Sequence, residues 1–119
     1  MFDHVLLKVS NRLESMKFYT PVLHVLGIRA LYDEDPYTAY GTDRFQFWLR
    51  NSDSESVTRG AHLAFAANAR QDVDEFYRTA LAAGGRSNGS PGLREHGPKY
   101  YAAYVLDLEG NNIEAVCNQ

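Results

Sequence analysis

The feature that most constrains this chain is that it resembles itself. Phe18-Tyr19 followed by Leu23 and Gly27 lies over Phe76-Tyr77 followed by Leu81 and Gly85, and the same offset of 58 residues superposes His4 on His62. The offset is close to half of the 119 residues, so the sequence predicts two copies of one ~60-residue unit, about 1–58 and 59–119, in a single domain. A fold built this way must supply each element twice.

Each copy begins as a strand and continues as a helix. His4–Val9 is rich in strand formers, and Asn11-Arg12-Leu13-Glu14 after it has the form of a helix-capping box. Leu13, Met16, Val22, Leu23 and Leu26 recur at helical period, with Gly27 suited to the stop and Pro21 expected to kink or interrupt the helix. The second copy repeats the plan with Ala61–Ala67, a matching cap at Asn68-Ala69-Arg70-Gln71, and a stripe of Val73, Phe76, Tyr77, Ala80 and Leu81. Strand-like segments follow at Arg29–Asp33, Tyr37–Tyr40 and Arg44–Arg50, then at Arg86–Asn88, Tyr100–Leu106 and Asn111–Cys117. Each copy therefore reads βαβββ. The fold class expected is α+β, two tandem βαβββ modules whose curved mixed sheets form a metal-centred cavity. Ser87–Pro98, with three Gly and two Pro, is expected to be an irregular loop able to cover a substrate.

Composition narrows the function classes. Twelve Lys and Arg against fifteen Asp and Glu give a net charge of −3 with no basic cluster, so no nucleic-acid partner is expected. No apolar run reaches the ~18–20 residues that cross a bilayer, and no basic-then-apolar leader opens the sequence, so a cytoplasmic location and no membrane partner are expected. One cysteine, Cys117, allows neither an internal disulfide nor a multi-cysteine metal site, and it falls on the core face of the last strand.

Strand alternation picks out three metal-ligand types. Val5, Leu7 and Val9 take the core face of the first strand, which leaves His4, Leu6 and Lys8 on the other. The same argument puts His62, and in the last strand Glu114, on the face away from the core. Two imidazoles and a carboxylate converging there would hold one divalent ion (Fe, Mn, Zn or Ni) and leave positions open for water, oxygen or substrate. The competing readings are a solvated His near a strand end and a Glu paired with a basic residue. Tyr100, Tyr104 and Trp48 fall on faces that could line the cavity, and Arg94 could clamp a carboxylate or phosphate.

The duplication, the Phe-Tyr-x-x-x-Leu helices and the ending Asp107-Leu108-Glu109-Gly110-Asn111-Asn112-Ile113-Glu114 resemble the vicinal oxygen chelate superfamily: glyoxalases, bleomycin- and fosfomycin-resistance proteins, and extradiol ring-cleaving dioxygenases. That resemblance covers essentially the whole chain and implies a metal held by His4, His62 and Glu114. It departs at Trp48, where glyoxalases carry a fourth ligand, usually Glu, and this weighs against glyoxalase chemistry. Leu6 and the absence of basic residues after Glu114 weigh against the fosfomycin branch. His96, Tyr104, Asp107, Gly110 and Glu114 are spaced as in the extradiol branch, which would make His96 an acid/base and Tyr104 a hydrogen-bond donor to substrate oxygens. Leu108, Ala103 and Arg94 depart from that pattern. The leading expectation is a metal-dependent dioxygenase or lyase acting on a small oxygenated molecule, aromatic or amphipathic, leaning to ring cleavage, in a homodimer. The alternatives are a glyoxalase-type lyase or isomerase and a metal-free resistance protein that binds a small molecule.

Overall fold

A computed structural model describes all residues, 1–119. Its elements are β1 (Val5–Val9), α1 (Arg12–Val25), β2 (Arg29–Glu34), β3 (Tyr37–Gly41), β4 (Phe47–Asn51), β5 (His62–Ala66), α2 (Arg70–Ala82), β6 (Arg86–Leu93), β7 (Tyr101–Leu106) and β8 (Asn112–Cys117). One four-stranded sheet has the order β1-β4-β3-β2 and the other β5-β8-β7-β6. In each, the first strand runs parallel to the last and the remaining pairs are antiparallel, so both sheets are mixed. This is the tandem βαβββ arrangement.

The helices lie on the inner faces. α1 buries Phe18, Tyr19, Val22 and Leu23, and α2 buries Val73, Phe76 and Ala80. Leu7, Val9, Phe47 and Leu49 from the first sheet join Ala103, Val105, Ile113, Ala115 and Cys117 from the second in one apolar cluster with both helices. Phe47 and Phe65 meet edge to face across the modules, with ring centroids 5.6 Å apart. The other face of each sheet therefore points away from this shared core.

Several local expectations change. Pro21 does not interrupt α1, because the ring is exposed and the buried residues on either side of it hold the helix against the sheet. Leu13 is also exposed, so the buried stripe of α1 is Phe18-Tyr19-Val22-Leu23. The Asn11 side-chain oxygen Oδ1 accepts from the Glu14 amide at 3.1 Å, which is the Asn half of the expected capping box. The matching cap at Asn68 is absent: Ala69 is the N-cap of α2, with no side-chain hydrogen bond. The helix-stopping glycines, in the left-handed region, are Gly27 (φ +79°) and Gly84 (φ +101°), because α2 is one residue shorter than α1.

The expected loop at Ser87–Pro98 is mostly strand. β6 runs to Leu93, and register shifts at Ser87/Gly89 and Gly89/Gly92 accommodate its glycines and Pro91 without breaking the pairing with β7. Only Arg94–Tyr100 is left as a connector.

The Asp-x-x-Gly-Asn segment is a structural hub. The buried Asp107 carboxylate accepts from the amides of Glu109 (2.9 Å) and Asn111 (2.8 Å), from the Asn111 side chain (3.1 Å) and from the Tyr19 hydroxyl of α1. Asn111 in turn accepts from the Ala61 amide at 2.9 Å and donates to the Thr58 carbonyl at 3.0 Å. Every buried oxygen of Asp107 is thereby used, and the turn before β8 is tied to the start of β5.

Candidate functional site

The second sheet's outer face carries the most organised polar group. Parallel pairing of β5 with β8 sets His62 beside Asn112 and Ala64 beside Glu114, so His62 and Glu114 are diagonal neighbours on one face. His62 Nε2 lies 2.7 Å from Glu114 Oε1, and the Tyr100 hydroxyl donates to Glu114 Oε2 at 2.5 Å. The His62 side chain is 54% exposed while that of Glu114 is 2% exposed. A buried carboxylate is thus reached from outside through a half-exposed imidazole. The hydrogen bond to Glu114, helped by burial, pushes the Tyr100 phenol up to about 12, which keeps it a neutral donor.

Tyr104 stands opposite Glu114 in the β7–β8 pairing, with its ring 6.2 Å from that of His62. The guanidinium of Arg94 lies 5.2 Å from the Tyr104 ring. Gly89 on β6 makes room for this tyrosine, because a Cβ there would come within 2.8 Å of Tyr104 Cδ2. His96, on the 94–100 connector, stacks on Tyr100 with ring centroids 4.6 Å apart.

The first sheet's outer face repeats the geometry with different chemistry. Pairing of β1 with β4 sets Leu6 beside Trp48, as Ala64 stands beside Glu114. Trp48 therefore occupies the repeat position of Glu114, and an indole replaces a carboxylate. It packs among Tyr32, Tyr37 and Phe45 at centroid distances of 6.0, 5.6 and 5.5 Å. His4, Leu6, Tyr32, Tyr37 and Trp48 line a groove of about 210 Å³. His4 Nδ1 is 2.7 Å from Asp3 Oδ1, and Arg44 donates to the other Asp3 oxygen at 3.1 Å. The His4 hydrogen bond, with the Arg44 charge, holds the Asp3 carboxyl below its usual value.

A family model for the glyoxalase/bleomycin resistance protein/dioxygenase superfamily matches residues 1–115. The chain belongs to that superfamily. Among solved structures, a glyoxalase/bleomycin resistance protein from Albidiferax ferrireducens T118 is 30% identical with a TM-score of 0.87, covering 100% of this chain and 99% of its own. A glyoxalase-related enzyme from Fulvimarina pelagi shares the fold at 20% identity and a TM-score of 0.78, covering 99% of this chain and 88% of its own. A glyoxalase/bleomycin resistance protein/dioxygenase family enzyme from Burkholderia phytofirmans PsJN does so at 19% identity and a TM-score of 0.77, covering 98% and 97%. No curated protein is significantly similar to the chain.

For this superfamily member, the three expected ligands divide between two faces. His62 and Glu114 are in contact, whereas His4 sits with Asp3 on the other sheet. No group of three His, Cys, Asp or Glu side chains within the chain is placed to hold a metal ion. The His62–Glu114 pair does fit part of an octahedral coordination sphere, in which neighbouring nitrogen and oxygen donors ~2.1 Å from the ion stand ~3 Å apart. His96 and Tyr104 lie near the pair, Tyr104 beside His62 and His96 behind Tyr100.

The residue that sequence reasoning underrated is Tyr100. Hairpin register puts Tyr104, not Tyr100, opposite Glu114. Tyr100 precedes β7, and its phenol reaches back along the strand, which no spacing rule signals.

Proposed function

We propose that this chain is a cytoplasmic divalent-metal enzyme acting on a small oxygenated, aromatic molecule, with ring-cleaving-dioxygenase-like chemistry, in a cavity formed between two copies of the chain. The observation that carries the reading is the His62–Glu114 contact of 2.7 Å, an N/O donor pair with the carboxylate buried and the imidazole open to the outside. His4 of a second copy would be the third ligand. The ion, Fe, Mn, Zn or Ni, supplies Lewis-acid or oxygen-activating chemistry to adjacent substrate oxygens.

The chain's own residues then have separate tasks. Tyr100 orients Glu114 by donating to the oxygen that His62 does not contact, as outer partners of metal ligands commonly do. Tyr104 is within reach to donate to a substrate oxygen beside His62. His96, stacked on Tyr100 with ring centroids 4.6 Å apart, is the group to take up and return a proton at the rim. The aromatic face of Tyr32, Tyr37 and Trp48 accepts the apolar body of the substrate. Trp48 at the repeat position of Glu114 disfavours the glyoxalase-type alternative, since no second carboxylate stands there to move a proton.

Two surfaces support the second copy. Leu6, Tyr32 and Phe45 are exposed on the His4 face. An apolar groove of about 550 Å³, lined in part by Phe2, Val5, Phe47, Leu63 and Phe65, opens beside His62. A buried, free Cys117 suits a reducing compartment.

The test is metal uptake followed by calorimetry for wild type and His62→Ala, with circular dichroism as a fold control and catechols as trial substrates. One ion per cavity in wild type, at least about tenfold weaker binding in the variant and metal-dependent ring opening are expected. Equal uptake by both proteins rejects the ligand assignment. Uptake without ring opening but with conversion of a hemithioacetal favours the lyase alternative, and no uptake with tight aromatic binding favours the metal-free binder.

A further inference from the structure

At the far end of the His4 face, Lys8 and Arg50 are direct register partners on parallel strands β1 and β4. Neighbouring strands are ~4.8 Å apart, and like charges set side by side in this way are destabilising unless something between them is negative. Neither Lys8 nor Arg50 has a carboxylate within ion-pair distance, a state they share with other surface cations; what sets them apart is that they stand directly side by side. Arg50 is held by neutral contacts only: its Nε–H donates to the Tyr37 hydroxyl at 3.3 Å, a terminal nitrogen donates to Ser52 Oγ at 3.4 Å, and its guanidinium lies 5.8 Å from the Tyr37 ring. The charge is positioned and uncompensated.

These two cations line a bay of about 490 Å³ together with Asn51, Ser52, Asp53 and Ser56, with no apolar residue among them. Its far wall is built into the fold. The Ser52 amide donates to the Val9 carbonyl at 2.9 Å, the Lys8 amide to Thr58 Oγ1 at 3.0 Å, and the Thr58 amide to the Lys8 carbonyl at 2.9 Å. A tight turn between Asp53 and Ser56, closed by a 2.8 Å backbone bond, shapes the segment between. Asp53 is the one carboxylate in the lining and pairs with neither cation, so two positive charges outnumber one negative.

We propose that this bay binds an oxyanion, a carboxylate or phosphate group. Lys8 and Arg50 would share its oxygens through charge-assisted hydrogen bonds, and the Ser52 and Ser56 hydroxyls would complete the shell. If the proposed function holds, on which this extension rests, the anion belongs to the substrate. Lys8 follows His4 by four residues on one strand face, a run of ~13 Å, with Leu6 and Trp48 between them. The substrate class is then an elongated molecule with chelating oxygens at one end, an aromatic or apolar middle and an anionic group at the other.

The test is an amide NMR titration of the full chain with inorganic phosphate and, separately, with benzoate, alongside calorimetric metal uptake on the same samples. Saturable shifts centred on Ser52, Asp53 and Ser56 are expected. Lys8→Met and Arg50→Met should each weaken binding at least about tenfold, whereas Arg50→Lys should retain most of it. Tighter binding of phosphate assigns a phosphoryl group, and tighter binding of benzoate assigns an aromatic carboxylate. Shifts that never saturate, or equal binding by wild type and both Met variants, overturn the proposal. Anion binding in a protein that takes up no metal leaves the bay standing and removes the metal-dependent function.

Discussion

Glu114 has two oxygens and two partners, and each partner gives it a different property. His62 connects it to the outside, and Tyr100 holds it in place from behind. The Tyr100 phenol is raised above its ordinary value to about 12, so in linkage terms its bond to Glu114 contributes stability that is complete below pH ~10 and is lost as pH rises through 12. A difference titration of phenolate absorbance between wild type and Tyr100→Phe should isolate one tyrosine ionising near that value. A midpoint close to an ordinary phenol would mean that Tyr100 does not donate to Glu114. Asp107 is the other residue whose partners define it. Asp107→Ala strands the Tyr19 hydroxyl and two backbone amides in a buried site, which should cost about 2–4 kcal/mol in urea denaturation. Asp107→Asn should cost less, because its carbonyl still accepts from the amides of Glu109 and Asn111. Most of the Asp-x-x-Gly-Asn-x-Ile-Glu signature is therefore architecture. Only its last residue faces the candidate site.

The paired elements look equivalent in sequence and differ in how they are closed. α1 has a side-chain cap from Asn11, and α2 starts at Ala69 with none. Asn11→Ala should thus lower stability by about 1 kcal/mol, while Asn68→Ala should change it by less than about 0.5 kcal/mol, both read from denaturant midpoints. Equal losses would restore the symmetric capping that the repeat suggested. β6 shows the opposite effect, in which a segment full of loop residues is drawn into a sheet. Its glycines and Pro91 read as a loop because local preference favours turns. Pairing with β7, relieved by two register shifts, wins over that preference.

At the scale of the whole molecule, the two modules share one core through their helical faces, which turns both candidate ligand faces outward. A site using His4, His62 and Glu114 then requires two chains, and this makes a prediction that a single-chain site would not satisfy. His4→Ala and His62→Ala dimers should each lack every complete ligand set. Mixed in equal amounts and allowed to exchange, half of the dimers become mixed, each with one intact cavity of two. Metal capacity should return to about a quarter of wild type. Light scattering that shows only monomer at micromolar concentration, or no recovery on mixing, excludes the shared cavity.

What the sequence by itself determined was the duplicated βαβββ plan and the strand face of His62, Glu114 and Trp48. Both follow from the order of residues alone: a self-match at an offset of 58, and side chains alternating along a strand. That is why His4, His62 and Glu114 could be assigned away from the core, and why Trp48 could be named as the odd member. The tertiary structure decided which of those residues meet. His62 touches Glu114 because β5 and β8 pair in one particular register, Tyr100 joins them from outside its strand, and His4 lies on a separate face with Asp3. The first two meetings depend on which strands pair and in what register, between residues 52 and 14 positions apart in the sequence, a sum of many weak, distant contacts that no short window of sequence contains.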